Sequence, residues 1–209
     1  MTKRLTWLLV LLGAFLVFDI AAITILLVER NSSAVAIFGK VASSGTAAIG
    51  GPFTLETADA TTITDQTYRG KWMMIYFGYT SCPDACPTAL ANMSLALEKL
   101  GSESDKLQAL FITVDPARDT REVMSSYLKS FDSRIVGLVG SQSQIDGIIR
   151  TYHVYVKPHT GEGENYLVDH SSYFYIMDPD GKFMDVIEGA TPGDQVASHM
   201  RDLFRQRSI

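Results

Sequence analysis

The sequence predicts an α/β fold with a mixed β-sheet, preceded by one transmembrane helix. Apolar strand-like segments alternate with helical stripes along most of the chain, and such alternation implies parallel strands joined by crossover helices. A hairpin signal near the C-terminus adds antiparallel strands to that sheet. An almost uninterrupted apolar run occupies residues 5–28.

Length and composition fit one domain with an attachment. The chain has 209 residues, of which 46% are hydrophobic and 20% charged. These values favour a packed core over disorder. The net charge of -5 gives no reason to expect a nucleic-acid partner, because such partners select clustered basic surfaces.

The apolar run from Leu5 to Val28 is 24 residues long. About 20 residues suffice for a helix to span a bilayer, whereas a cleaved signal peptide has an apolar stretch of about 7–15. We therefore expect a retained membrane anchor over residues 1–30. Cleavage at the small-residue pattern 34–36 is the alternative.

Basic residues predict the orientation of this anchor. Lys3 and Arg4 favour the cytoplasmic side for the N-terminus. The globular part would then face the periplasm, or the equivalent compartment of an organelle, from the inner membrane. Asp19 lies inside the span, either as a tolerated residue or as a contact with another membrane protein.

Residues 31–50 are expected to form a linker, because they are rich in serine and glycine. The folded domain is expected at 51–207. Alternation, turn residues and buried runs predict its strands: 53–57, 61–64, 72–79, 107–114, 135–139, 173–177 and 182–188. Apolar residues at helical spacing predict helices around residues 90–100, 123–131, 145–152 and 196–204. This order is that of a thioredoxin-like fold with an N-terminal β-hairpin and insertions.

The only two cysteines, Cys82 and Cys86, lie between a predicted buried strand and a predicted helix. A disulfide over so short a loop would stabilise the fold little, so chemistry is the expected role. Pro87 suits the first position of a helix, which would place Cys86 at the N-cap. The positive end of the helix would stabilise a thiolate there.

Thiolates bind soft metals and also attack disulfides, so this motif alone leaves both roles open. The spacing C-x-x-x-C is one residue longer than the redox motif of thioredoxins. Before the strand facing the cysteines, where thioredoxin-like oxidoreductases carry a cis-proline, the chain has His170. Two thiolates and an imidazole suit copper, whereas structural zinc prefers a fourth protein ligand. A structural role for His170 is the alternative.

Two aspartates are candidates for a supporting role around this site. Asp84 lies inside the cysteine loop and is either a neighbour or transient ligand of the metal, or a loop residue that bonds its own backbone. Asp115 follows the second buried strand and is expected to order a loop near the site with Arg118 and Asp119. Segment 153–169 is polar and long, and is expected to be a loop for partner contacts.

Residues 52–207 resemble the Sco (SenC) family throughout. The matching segments are Gly51-Pro52-Phe53, Tyr76 to Thr80, Cys82-Pro83-Asp84-x-Cys86-Pro87, Val114 to Thr120, Val168 to Ser172 and Asp178-x-x-Gly181. The resemblance implies a copper chaperone, not an enzyme, that helps load the CuA site of cytochrome c oxidase. Its partners would be the oxidase subunit carrying CuA and an upstream copper donor. Cys82, Cys86 and His170 fall on the family's three ligand positions.

Two other functions compete with copper delivery. In the first, Cys82 and Cys86 form a redox-active disulfide that reduces the cysteines of a copper-accepting partner. In the second, the chain is a peroxiredoxin-like peroxidase, which is disfavoured because the thiols are paired and flanked by prolines. His170 discriminates between these functions, because a metal site needs it and disulfide exchange does not.

Overall fold

The computed structural model describes residues 49–159, 163 and 166–207. No helix within these ranges is long and apolar enough to cross a membrane. The predicted anchor, with Asp19 and nearly all of the predicted linker, lies outside the described residues.

The elements follow the predicted order closely. The strands are β1 (Thr54–Glu56), β2 (Thr62–Thr64), β3 (Trp72–Gly78), β4 (Leu107–Thr113), β5 (Ile135–Leu138), β6 (Val156–Pro158), β7 (Val168–His170), β8 (Tyr173–Met177) and β9 (Phe183–Glu188). The helices are α1 (Ala85–Leu100), α2 (Arg121–Leu128), α3 (Gln142–Thr151) and α4 (Gly193–Arg207), with a 3-10 helix at Gly101–Lys106.

A five-stranded mixed sheet forms the centre, in the order β5-β4-β3-β8-β9. β3, β4 and β5 are parallel, whereas β8 and β9 run antiparallel to them. All seven residues of β3 are buried, which explains why its sequence is apolar without alternation. The α/β class with a mixed sheet is therefore confirmed.

Helices α1 and α4 pack against each other through apolar stripes. On α1 the buried positions include Leu90, Met93 and Leu97, and on α4 they include Met200 and Leu203. Spacings of three and four residues place such side chains on one face of a helix. These methionines thus belong to the core, as the helical pattern predicts.

Segment 153–169 differs from the expected loop. It contains β6 and most of β7, which pair antiparallel in a two-stranded ribbon separate from the central sheet. Each strand has only three residues, and Pro158 in β6 has no backbone N–H to donate. Strands this short carry too little alternation to be recognised from sequence.

Candidate metal centre

The direction of the strands brings the cysteine loop and His170 together. Strand β3 ends at Gly78, and its register with β8 pairs Tyr76 with Phe174. Because β8 runs antiparallel to β3, the residues that precede β8 lie at the edge where β3 ends. The chain segments around Cys82 and His170 therefore meet at one edge of the sheet.

The structure brings together the three residues that the sequence singles out. One donor atom from each of Cys82, Cys86 and His170 lies within 4.8 Å of the other two. The sulfur of Cys86 is 3.4 Å from Nε2 of His170. Both cysteines are free thiols, and Cys86 is fully buried whereas Cys82 and His170 are partly exposed. The group could hold one metal ion with its accessible side at Cys82 and His170.

The expected place of Cys86 at the N-cap is wrong. Helix α1 begins at Ala85, with Asp84 at the N-cap, so Cys86 lies inside the first turn. Pro87 is still in that turn, where its missing N–H leaves no hydrogen bond unmade. The helix begins earlier than Pro87 alone indicates, because the sulfur of Cys82 accepts the backbone N–H of Cys86 at 3.4 Å.

This arrangement gives the two sulfurs opposite acidities. A hydrogen bond from the Cys86 thiol, helped by His170 and the backbone N–H groups of Cys86 and Asp84, lowers the pKa of Cys82 despite its partial burial. The pKa of Cys86 is raised, because its proton is shared with Cys82 and because burial disfavours its charge. In the metal-free protein the Cys86 thiol, with the N–H groups at the helix start, thus favours a thiolate on Cys82, whereas the sequence predicts the thiolate on Cys86.

The imidazole of His170 is oriented by its own neighbour. Its Nδ1 lies 3.1 Å from the carbonyl oxygen of Ser171. A carbonyl only accepts, so Nδ1 carries a proton, and Nε2 is the ring nitrogen that faces Cys86. A backbone partner on the second ring nitrogen is typical of histidines that bind metals.

Two tyrosine rings pack against this imidazole. Tyr76 and Tyr79 make T-shaped contacts with it, with ring centroids 6.0 Å and 5.8 Å away and planes nearly perpendicular. The Tyr76 hydroxyl pairs with Ser172 Oγ at 2.9 Å, and burial raises the pKa of Tyr76. The sequence indicates only that both tyrosines belong to an aromatic strand end; their contact with His170 depends on the fold.

Gly78 has no side chain, and the sulfur of Cys86 occupies the space that a side chain there would fill. A Cβ at Gly78 would lie 2.6 Å from that sulfur and 2.8 Å from the Phe111 ring. A Cβ essentially never lies this close to another heavy atom, so any side chain here would displace Cys86 or the core. The close approach of strand and sulfur requires glycine at this position.

The two candidate supporting aspartates act at different places. Asp84 is exposed, makes no side-chain capping bond, and contributes its backbone N–H to Cys82. Asp115 is buried, and its oxygens accept hydrogen bonds from Arg118 at 2.5 Å and Tyr166 at 2.7 Å. Asp115 therefore orders the loop with Arg118, as expected.

Asp119 is a buried carboxylate that the sequence indicates only as a residue of the loop with Asp115 and Arg118. It accepts hydrogen bonds from the backbone and hydroxyl of Thr80 and from Thr113 Oγ1. Burial raises the pKa of Asp119, although the hydrogen bonds from Thr113 and Thr80 act to lower it. It joins the start of the cysteine loop to the end of β4, while Thr120 caps α2.

The other histidines in the described residues are not part of the cluster of Cys82, Cys86 and His170. His159 pairs with Asp169 at 2.9 Å, and His199 pairs with Asp185 at 2.8 Å. His153 is exposed after α3. All three side chains are thus at least partly open to solvent.

Comparison with known proteins identifies the family to which this chain belongs. A family model described as SCO1/SenC matches residues 41–205. The chain belongs to the SCO1/SenC family. The mouse "Protein SCO1 homolog, mitochondrial" is 41% identical over 172 residues, which cover 79% of this chain and 61% of the mouse protein. The match thus spans less than two thirds of that relative.

Solved Sco structures share the fold. The structure of Bradyrhizobium japonicum ScoI with copper bound is 40% identical, with a TM-score of 0.70, and the match covers 74% of this chain and 98% of that one. BsSco, described as a member of the Sco family of cytochrome c oxidase assembly proteins with a disulfide switch, is 26% identical with a TM-score of 0.61. That match covers 73% of this chain and 91% of BsSco. The thioredoxin-like expectation for the described domain agrees with these Sco folds.

Proposed function

We propose that this chain is a copper-binding chaperone that delivers copper to, or prepares, the CuA site of cytochrome c oxidase. The observation that carries the proposal is the convergence of Cys82, Cys86 and His170, whose donor atoms lie within 4.8 Å of one another. The chain would act as a metallochaperone whose turnover is metal transfer, and not as an enzyme.

The chemistry of the three donors supports copper as the cargo. Thiolate sulfur selects soft Cu(I), and imidazole is acceptable to both Cu(I) and Cu(II). Nε2 of His170 lies 3.4 Å from the sulfur of Cys86, so little rearrangement is needed for both atoms to face one ion. Copper in the related ScoI structure adds support for the same cargo here.

The unequal burial of the donors suits transfer to another protein. Cys86 is buried, whereas Cys82 and His170 are partly open to solvent. A partner's sulfur or imidazole would therefore approach at Cys82 and His170, while Cys86 holds the ion from the buried side of the site. Stepwise ligand exchange of this kind avoids release of free copper. The acceptor would be the oxidase subunit carrying CuA, and a separate protein would supply the metal.

Thiol–disulfide exchange with the copper-accepting partner is the second candidate. It is favoured by the accessible thiolate of Cys82 and the adjacent thiol of Cys86. Cys82 would attack a partner disulfide and release one partner thiolate. Cys86 would then attack the mixed disulfide, leaving the partner reduced and this chain with a Cys82–Cys86 disulfide.

The proposal also includes the setting of the domain. Residues 5–28 would anchor the chain in the inner membrane, with the C-terminal domain in the periplasm. The basis is the apolar run and the basic residues that precede it.

The decisive experiment compares the full-length chain with Cys82→Ser, Cys86→Ser and His170→Ala. We expect one copper per wild-type chain, sulfur and nitrogen neighbours in X-ray absorption, and loss of tight binding in either cysteine variant. His199→Ala is the matched control, because His199 pairs with Asp185 on the surface. Full copper retention in a cysteine variant would contradict the copper assignment.

His170→Ala also separates the two candidate functions in cells. The variant keeps both thiols, so it should retain a measurable dithiol–disulfide couple. It loses one of three copper donors, so we expect failure of oxidase assembly at limiting copper. Full oxidase activity in cells carrying only this variant would favour thiol exchange instead.

A further inference from the structure

The ribbon that carries His170 has little support of its own. It consists of β6 and β7, three residues each, with Val156 paired to His170. It shares no strand pairing with the central sheet in the described part of the chain. Isolated two-stranded ribbons are marginally stable in water. Contacts outside the ribbon must therefore hold His170 near the cysteines.

A cluster of three side chains supplies such contacts where the chain enters β7. Nη1 of Arg118 donates to the backbone oxygen of Tyr166 at 2.8 Å, and its guanidinium carbon lies 3.8 Å from the centre of the Tyr166 ring. The Tyr166 hydroxyl and Nε of Arg118 both donate to Asp115. Asp115 is 5% exposed, so this ion pair is anchored in the protein interior at the end of β4.

The same guanidinium connects the cluster to the histidine. It lies 5.5 Å from the centre of the Tyr79 ring, whose edge-to-face partner is His170. The Tyr79 hydroxyl accepts the backbone N–H of Val168, the first residue of β7, at 3.2 Å. The entry to β7 is thus tied to the ends of β3 and β4, which also hold the cysteine loop.

We propose, on the basis of the copper function proposed above, that Asp115, Arg118 and Tyr166 form a clamp that positions His170 as a metal ligand. Where the structure describes them, the clamp side chains contact one another and the Tyr79 ring, and we therefore class its members as positioning residues. Its effect is to keep the imidazole at bonding distance from an ion held by the sulfurs, before any metal arrives. Loosening it should release His170 and leave Cys82 and Cys86 in place.

Two conservative variants test the clamp without leaving Asp115 uncompensated. Arg118→Lys keeps the positive charge but loses the planar fork that reaches Tyr166 and the stacking on its ring. Tyr166→Phe keeps the ring and removes only the hydroxyl bond to Asp115. Arg121→Lys is the matched control, because Arg121 is a partly exposed arginine of the same loop–helix segment that pairs with Glu56.

The first readout needs no metal. In the full-length copper-free chain, we expect amide hydrogen exchange over residues 166–171 to become at least about tenfold faster in both clamp variants, with the strands of the central sheet unchanged. Arg121→Lys should exchange as wild type. Wild-type exchange at these amides in both clamp variants would overturn the clamp.

The second readout is the copper spectrum. With Cu(II) as the probe, we expect about a tenfold loss of affinity and a reduced nitrogen signal from the bound imidazole in electron paramagnetic resonance, as is usual when support of a metal-binding histidine is removed. Combining each clamp variant with His170→Ala should cause no further loss, because both changes then act on one ligand. A further loss in that background would overturn the proposal, since the effect would not pass through His170.

Different results would contradict the proposed copper function and the clamp. A wild-type chain that binds no copper through His170 overturns the proposed function, whatever the exchange data show. A wild-type chain that binds copper through His170, with clamp variants that bind it equally well, overturns the clamp alone.

Discussion

The backbone N–H of Cys86 donates to the sulfur of Cys82 at 3.4 Å, so one cysteine caps the helix that begins around the other. The first N–H groups of a helix have no partner within the helix. A sulfur that accepts one of them gains a donor and the positive end of the helix dipole, both of which favour its thiolate. The two thiols of one short loop therefore differ in charge and exposure.

Cys82 should react with iodoacetamide faster than Cys86 in the folded, metal-free chain. The pKa of Cys82 is lowered and its sulfur is partly exposed, whereas Cys86 is buried with a raised pKa. Only thiolates alkylate at a useful rate. At pH 6, peptide mass spectrometry should find the label on Cys82, and unfolding in urea should abolish the difference. Equal labelling in the folded state would contradict the assignment.

Copper binding should release one proton per ion at pH 8. Cys82 has a lowered pKa and is already a thiolate, so it has no proton to lose. Cys86 has a raised pKa and must lose its proton when it binds the metal. Apparent Cu(I) affinity should therefore rise with pH while Cys86 is a thiol in the free chain. Calorimetry in buffers of different ionisation enthalpy counts the protons. Two protons per ion would mean that both sulfurs start as thiols.

Gly78→Ala should destabilise the fold and weaken copper binding together. The added Cβ would lie 2.6 Å from the Cys86 sulfur and 2.8 Å from Phe111. Overpacking of this kind costs about 1–3 kcal/mol in the free energy of unfolding. Gly147→Ala is the control, because nothing lies within 4 Å of its Cβ position inside α3. There, loss of unfolded-state freedom should stabilise by about 0.4–1 kcal/mol. A Gly78→Ala chain with unchanged stability and copper affinity would contradict the close packing.

The full-length chain should remain in the membrane fraction after an alkaline wash. Its apolar run of 24 residues from Leu5 is long enough to span a bilayer. Protease added from the periplasmic side should remove the C-terminal domain. A chain that starts at residue 31 is the control and should be released by the wash. Recovery of the wild type as a soluble, shortened species would indicate cleavage near 34–36 instead.

Local patterns in the sequence determine much of this protein. The buried run of β3, the Asp178 to Gly181 turn and the helical stripe of α1 each result from interactions among neighbouring residues, so their positions are predictable within a few residues. The same holds for the two thiols between a strand and a helix. The order of these elements then indicates the mixed sheet, because crossover connections leave few alternatives.

Tertiary structure decides what depends on distant residues. Cys86 and His170 are 84 positions apart, and they meet because β8 runs antiparallel to β3. The ribbon of β6 and β7 is too short to show a pattern, and Arg118 from another loop donates a hydrogen bond to Tyr166, just before β7. The thiolate belongs to Cys82 because the two sulfurs share a proton and only one of them caps the helix. Spacing along the chain identifies the chemical groups, whereas their distances, burial and shared protons are set by the packing of the whole domain.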